Sequence, residues 1–225
     1  MKQTYDLIVF DWDGTLIDSQ ARIINCMHAA IDAQQLATRS DDELKNVIGL
    51  GLREAMRGLF PDTAADLLEQ LAQSYREHYL VHDKTPSPLF AGSMETLHRL
   101  QSEGYLLAIA TGKGRQGLNQ ALKETGLDGF FHTTRCADET QSKPHPRMLL
   151  EIMEELNVTP AATLMVGDTE YDLQMAKRAN AASVAVSYGV HERERLLSQA
   201  PHTCIDRIED LCAWLKDVQS TVALD

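Results

Sequence analysis

The sequence predicts an α/β protein, a parallel sheet with helices on both faces, interrupted near its start by an all-helical insertion. Three observations predict this class. Past residue 93, four helical patterns each lead into a short strand-like run: METLHRLQSE into YLLAIAT, GRQGLNQALKETG into FHTTR, PRMLLEIMEEL into ATLMVGD, and YDLQMAKRA into ASVAVSYG. Strands alternating with helices imply parallel pairing through right-handed crossovers. One more apolar run, YDLIVF at Tyr5 to Phe10, stands apart, and the segment from Asp18 to about Val81 between it and the others has helical periodicity and no strand pattern.

Each element has its own warrant. YDLIVF is short and rich in branched and aromatic residues, as a buried strand requires. Ile23, Ile24, Met27 and Ile31 then fall at helical spacing, and Ser40 with Glu43 forms a capping box that opens DDELKNVI. Gly49 and Gly51 break that pattern, and TAADLLEQLAQSYREHYL supplies another amphipathic helix, giving about four helices and a small bundle. Two prolines and a glycine in DKTPSPLFAGS mark the clearest linker, between His82 and Ser93. A last strand, HTCID, precedes the helix RIEDLCAWLKDV, and the Leu and Met of LLEIMEEL are core residues. The expected division is a Rossmann-like core of residues 1–14 and 86–225 with a helical unit of residues 15–85, hinged at GTLIDSQ and TPSPLFAG.

Composition narrows the function. The 225-residue chain is 44% hydrophobic and carries a formal charge of -12, which argues against binding a phosphate backbone. No run is long enough to span a membrane, the apolar stretch before Asp11 is too short for a signal peptide, and Cys26, Cys136, Cys204 and Cys212 lack disulfide or zinc spacing. A cytoplasmic protein with reduced thiols, acting on a small molecule as a monomer, is the expectation.

The chemistry-bearing residues lie where strands end. Asp11 and Asp13 follow YDLIVF in VFDWDGTLIDS, YLLAIA runs into Thr111, Gly112 and Lys113, Lys143 sits in SKPHP after FHTTR, and Asp168 and Asp172 lie in GDTEYD. Parallel strands deliver such ends to one edge, where ligands bind. Crowded carboxylates repel by roughly 4 kcal/mol per pair at 4 Å and an effective dielectric near 20, so a cation is expected. Few, oxygen-only ligands suit Mg²⁺. Taken singly, an Asp-x-Asp pair is also an ordinary surface feature, Asp168 a helix cap, Lys143 an exposed lysine and Thr111 a strand-end hydroxyl.

In order and together, the four motifs DWDGT, Thr111, Lys143 and GDTEYD closely resemble the haloacid dehalogenase superfamily of phosphohydrolases, in its phosphoglycolate phosphatase-like branch with a small helical cap. The resemblance implies Asp11 as nucleophile, Asp13 as acid and base, and Thr111 and Lys143 as stabilisers of the phosphoryl group. Gly14 and Gly112 would contribute backbone amides to phosphate binding. It further implies Mg²⁺ on Asp11, Asp168 and the Asp13 carbonyl, with Asp172 behind them. A carboxylate is ionised at neutral pH and needs no base to attack, while the charge of Asp11 is expected to keep Asp13 protonated. Asp13 separates this chain from the metal-free dehalogenases and the phosphonate-cleaving branch. Arg53, in GLGLREAM, is a candidate for binding the distal end of the substrate, or else a solvated helix charge. The expected reaction is hydrolysis of a small phosphomonoester, phosphoglycolate first. The alternatives are a phosphosugar mutase of the β-phosphoglucomutase type and, in a different class, a binding or regulatory protein without turnover.

Overall fold

The computed structural model describes residues 5–222; residues 1–4 and 223–225, the outermost ends of the expected core, lie outside the described part. Strand β1 (Leu7–Phe10) is followed by helices α1 (Gln20–Ala33), α2 (Asp41–Asn46), α3 (Leu52–Leu59) and α4 (Ala65–Glu77), the last continuing into a π-helical turn, His78–His82. Then come α5 (Ser93–Ser102), β2 (Leu106–Thr111), α6 (Arg115–Thr125), β3 (Thr133–Cys136), α7 (Arg147–Leu156), β4 (Thr163–Gly167), α8 (Glu170–Arg178), β5 (Ala182–Val186), α9 (Arg193–Leu197), β6 (Thr203–Ile205) and α10 (Asp210–Val222).

All six strands pair in parallel, in the order β3-β2-β1-β4-β5-β6. Strand β1 lies between β2 and β4, with Phe10 level with Ile109 on one side and Val166 on the other. The chain runs outward from β1 in both directions, so the strand order reverses at its carboxyl end and opens a crevice there. Alternate residues supply the two faces of the sheet. Ile8 and Phe10 pack with Leu97, Leu118 and Leu211 of α5, α6 and α10; Leu7 and Val9 pack with Met148, Ile152 and Met175 of α7 and α8.

The four helices after β1 bury a core of their own, in which Cys26, Ile31, Leu44, Met56 and Leu71 are almost fully enclosed. The Ser40 to Glu43 capping box forms as the sequence predicts. The two expected hinge segments run side by side: Asp18 N donates to Pro88 O at 2.8 Å, Phe90 N donates to Leu16 O at 3.0 Å, and Ile17 and Leu89 form an antiparallel bridge. Two strand expectations were too generous. The sheet strand begins at Leu7 rather than Tyr5, and β3 is displaced toward Cys136 because its pairing to Ala108–Thr111 decides its limits.

Candidate active site

Asp11 directly follows β1, Thr111 ends the neighbouring β2, and Asp168 directly follows β4 on the other side. Three adjacent strands therefore deliver them to one edge. Trp12 turns into the sheet core, fully buried, with its ring 6.4 Å from that of Phe131 in an edge-on contact. The chain then turns sharply, with Leu16 N and Ile17 N both donating to Trp12 O.

Gly14 makes this turn possible. Its φ of +82° lies in the left-handed region, and a side-chain carbon there would fall 2.2 Å from Asp168 Oδ2. The glycine lets the turn after β1 close on the loop after β4.

Asp11 Oδ1 accepts from Trp12 N at 2.6 Å and pairs with Lys143 Nζ at 2.7 Å. Asp11 Oδ2 is buried and receives no hydrogen bond, although the residue lines the cavity beside the sheet edge. Lys143, itself buried, also pairs with Asp172 Oδ1 at 2.6 Å. Asp172 Oδ2 accepts from Thr169 N and Thr169 Oγ1, so this acid caps α8 and braces Lys143 at once. Asp168 Oδ1 accepts from Thr15 Oγ1 at 2.9 Å, and its Oδ2 from Val190 N at 2.8 Å.

Oxygens of Asp11, Asp168 and Asp172 lie within 4.8 Å of one another, all three residues buried. Burial pushes the Asp11 carboxyl well above the ordinary range, with Lys143 opposing the rise and Asp172 and Asp168 adding to it. Burial, then the charge of Asp172, moves Asp168 up to about 7. Burial would lower Lys143, but Asp11 and Asp172 outweigh it and hold its ammonium at about 12. Three buried carboxylates thus face one ammonium, with one oxygen left without a donor. A hard divalent cation fits this donor set, because it would complete that oxygen and offset the surplus charge.

Asp13 lies in the same cavity wall, with its Oδ1 accepting from Ser19 Oγ at 2.7 Å and pairing with Lys113 Nζ at 3.1 Å. The expectation for Asp13 rests on the charge of Asp11 alone, but Lys113, which the sequence places at the same strand end as Thr111 without assigning it a role, is a positive partner of Asp13, and its ammonium also donates to Tyr79 Oη of the helical unit at 2.9 Å. Ser19, Thr15 and Thr169 were missed too, since nothing distinguishes such hydroxyls in a sequence except proximity to a motif. Thr111 Oγ1 accepts from Lys113 N at 3.1 Å, leaving its own hydrogen available to a ligand.

The helical unit forms the other wall. Backbone atoms of Gly49 and Leu50 approach Gly112 so closely that a side-chain carbon on Gly112 would lie 2.4 Å from Leu50 O, and Gly51 N donates to Ser142 Oγ at 2.6 Å. Arg53 lines the cavity from the first turn of α3, with its side chain 72% exposed and paired to Glu69 at 3.1 Å. Its partner stands on α4 rather than on its own helix.

Comparison with known proteins identifies the family and the fold. The family model described as "Haloacid dehalogenase-like hydrolase" matches residues 8–186. A relative from Dickeya dadantii named "Probable phosphatase IndB" is 32% identical, covering 91% of each chain, and the pyrophosphatase PpaX of Bacillus mycoides is 30% identical over 94% of this chain and 97% of its own. Among solved structures, a haloacid dehalogenase-like hydrolase from Bacteroides fragilis superposes with a TM-score of 0.86 at 26% identity, over 92% of this chain and 99% of that one. A predicted phosphoglycolate phosphatase from Haemophilus somnus has the same fold, with a TM-score of 0.85 at 23% identity over 95% and 99%.

Proposed function

Because the chain belongs to the haloacid dehalogenase-like hydrolase family, we propose that it is a Mg²⁺-dependent phosphatase that cleaves a small phosphomonoester through an aspartyl-phosphate on Asp11. The observation that carries this reading is Asp11 itself: the residue lines the cavity, its buried Oδ2 receives no hydrogen bond, and Lys143 fixes the other oxygen at 2.7 Å.

Asp11 Oδ2 attacks phosphorus, the bond from phosphorus to the ester oxygen breaks, and Asp13 gives that oxygen a proton. Asp13, now ionised, takes a proton from water; the water oxygen attacks the same phosphorus, and phosphate leaves with Asp11 restored. Ser19 and Lys113 both engage Asp13 Oδ1, so Oδ2 is the oxygen that carries and returns the proton. Lys143, the Thr111 hydroxyl and the amides of Gly14 and Gly112 take the charge on the phosphoryl oxygens. Asp11, Asp168 and the Asp13 carbonyl would hold Mg²⁺, which when bound supplies neutralisation of the charge between nucleophile and phosphate; Asp172 orients Lys143. The residues after β1 and before α5 act as hinges for the helical unit, which excludes water from the first transfer.

Two compounds frame the substrate question: phosphoglycolate, from the family resemblance, and pyrophosphate, the substrate in the name of relatives that align over most of the chain. The test is phosphate release, with Mg²⁺, from a panel of both compounds, sugar phosphates, nucleoside monophosphates and alkyl phosphates. Release by the native protein, lost on chelation and in Asp11→Asn by at least about a thousandfold, is expected. Activity surviving in Asp11→Asn would remove the covalent route, and a phosphoenzyme that persists until a sugar accepts the group would make the protein a mutase.

A further inference from the structure

The cavity beside Asp11 is larger than a phosphate site needs. Its volume is about 430 Å³, within the range that encloses drug-sized ligands. This is its size with the helical unit already seated on the core: Gly49 and Leu50 touch Gly112, Gly51 is bonded to Ser142, and Lys113 reaches Tyr79. Seating that unit therefore does not remove the space. Phosphoglycolate or pyrophosphate would leave most of it to water.

The helical unit lines the cavity with many apolar side chains beside Arg53, Glu54 and Arg76. Ile23 and Met27 come from α1, Ile48 and Leu52 from the start of α3 and the loop before it, and Tyr75 and Leu80 from α4 and the π-helical turn. Burial raises the Tyr75 phenol well above its ordinary range, so it stays neutral.

Three cations also line the cavity, and each is already engaged. Arg53 and Arg76 share Glu69, each at 3.1 Å, and Lys113 sits 3.1 Å from Asp13. Glu54 and Asp138 add negative charge to the same walls. A second anionic group would compete with Glu69 or Asp13 for these same cations while facing further carboxylates. An uncharged body meets neither obstacle and gains from contact with the apolar side chains.

Resting on the phosphatase reading above, we infer that the preferred substrate is the phosphomonoester of an alcohol whose body is uncharged and largely apolar, seated between α1, α3 and α4. The site then selects against the second charge that phosphoglycolate and pyrophosphate both carry.

Ethyl, butyl and hexyl phosphate test this, because their alcohols differ little in acidity and the chemical step is held constant. With Mg²⁺ present, kcat/KM should rise at least about tenfold from ethyl to hexyl phosphate, since each buried methylene is worth several-fold. Hexyl phosphate should also exceed both pyrophosphate and phosphoglycolate. Leu52→Asp places an acid in the first turn of α3, where the helix end favours it, and should reduce the hexyl-to-ethyl ratio to below about threefold. A flat alkyl series, or pyrophosphate or phosphoglycolate turned over tenfold faster than hexyl phosphate, would overturn the inference while leaving the phosphatase reading intact. Silence from every phosphate in the series, matched by Asp11→Asn, would overturn that reading and the inference with it.

Discussion

Three buried carboxylates around Lys143 are the residues on which the account turns, and their repulsion has a measurable sign. Asp168 binds protons up to about pH 7 in the folded protein, against an ordinary value of 3.8, so between those values the native state holds a proton that the unfolded state has released. The contribution of Asp168 to stability then falls as pH rises through this window, whereas His191, which burial moves down to about 4, contributes the opposite slope below its ordinary value of 6.5. The melting temperature of metal-free native protein, taken relative to that of Asp168→Asn at each pH, should therefore drop between pH 5 and pH 7.5, and saturating Mg²⁺ should reduce the drop, because ligand binding to the native state adds stability by mass action. A metal-free difference that climbs over this range would contradict the assigned electrostatics. Asp11, Asp13, Thr111, Lys143, Asp168 and Asp172 could be picked from the sequence because each ends or follows a strand or lies within a motif. Lys113 stands at the same strand end as Thr111, but its role was not legible, since that depends on Asp13, a hundred residues away, and on Tyr79 from the helical unit.

At the scale of elements, two surfaces that meet through glycines build the site. Gly112 directly follows β2, and the loop between α2 and α3 lies against it with no room for a side chain. Gly112→Ala should push that loop away from the sheet edge, lowering kcat/KM by about tenfold or more, with a much smaller loss in thermal stability because the two hydrophobic cores are untouched. Unchanged kinetics in this variant would mean that the contact between loop and sheet edge is dispensable. Helices and strands were readable where periodicity was strong, as in β2, β4 and the capped α2. The π-helical turn at His78–His82 was not, because the sequence pattern simply continues that of α4 and the change depends on packing. The short α9 also escaped notice; it is held by Arg195, which pairs with Glu170 and donates to Asn46 Oδ1 at 2.7 Å, contacts far apart in the chain.

The whole molecule is a parallel sheet whose order reverses at β1, with the helical unit inserted where the reversal opens a crevice. The alternation of strands and helices made this architecture legible, whereas the strand order was not, because periodicity does not say which strands become neighbours. Among the described residues no helix is long and apolar enough to cross a membrane. The four thiols are free, and burial moves Cys26 and Cys136 up to about 12. Neither should react with iodoacetamide at pH 8 until the protein is unfolded, as peptide mass mapping would establish; rapid native labelling of either would contradict the packing of the two cores. In the proposed reaction the phosphoryl group passes covalently to Asp11. The most direct measurement is intact and peptide mass analysis of enzyme quenched in acid during turnover with Mg²⁺. One phosphoryl group on the peptide carrying Asp11, absent from Asp11→Asn, is the predicted result; steady phosphate release with no adduct, undiminished in Asp11→Asn, would contradict it.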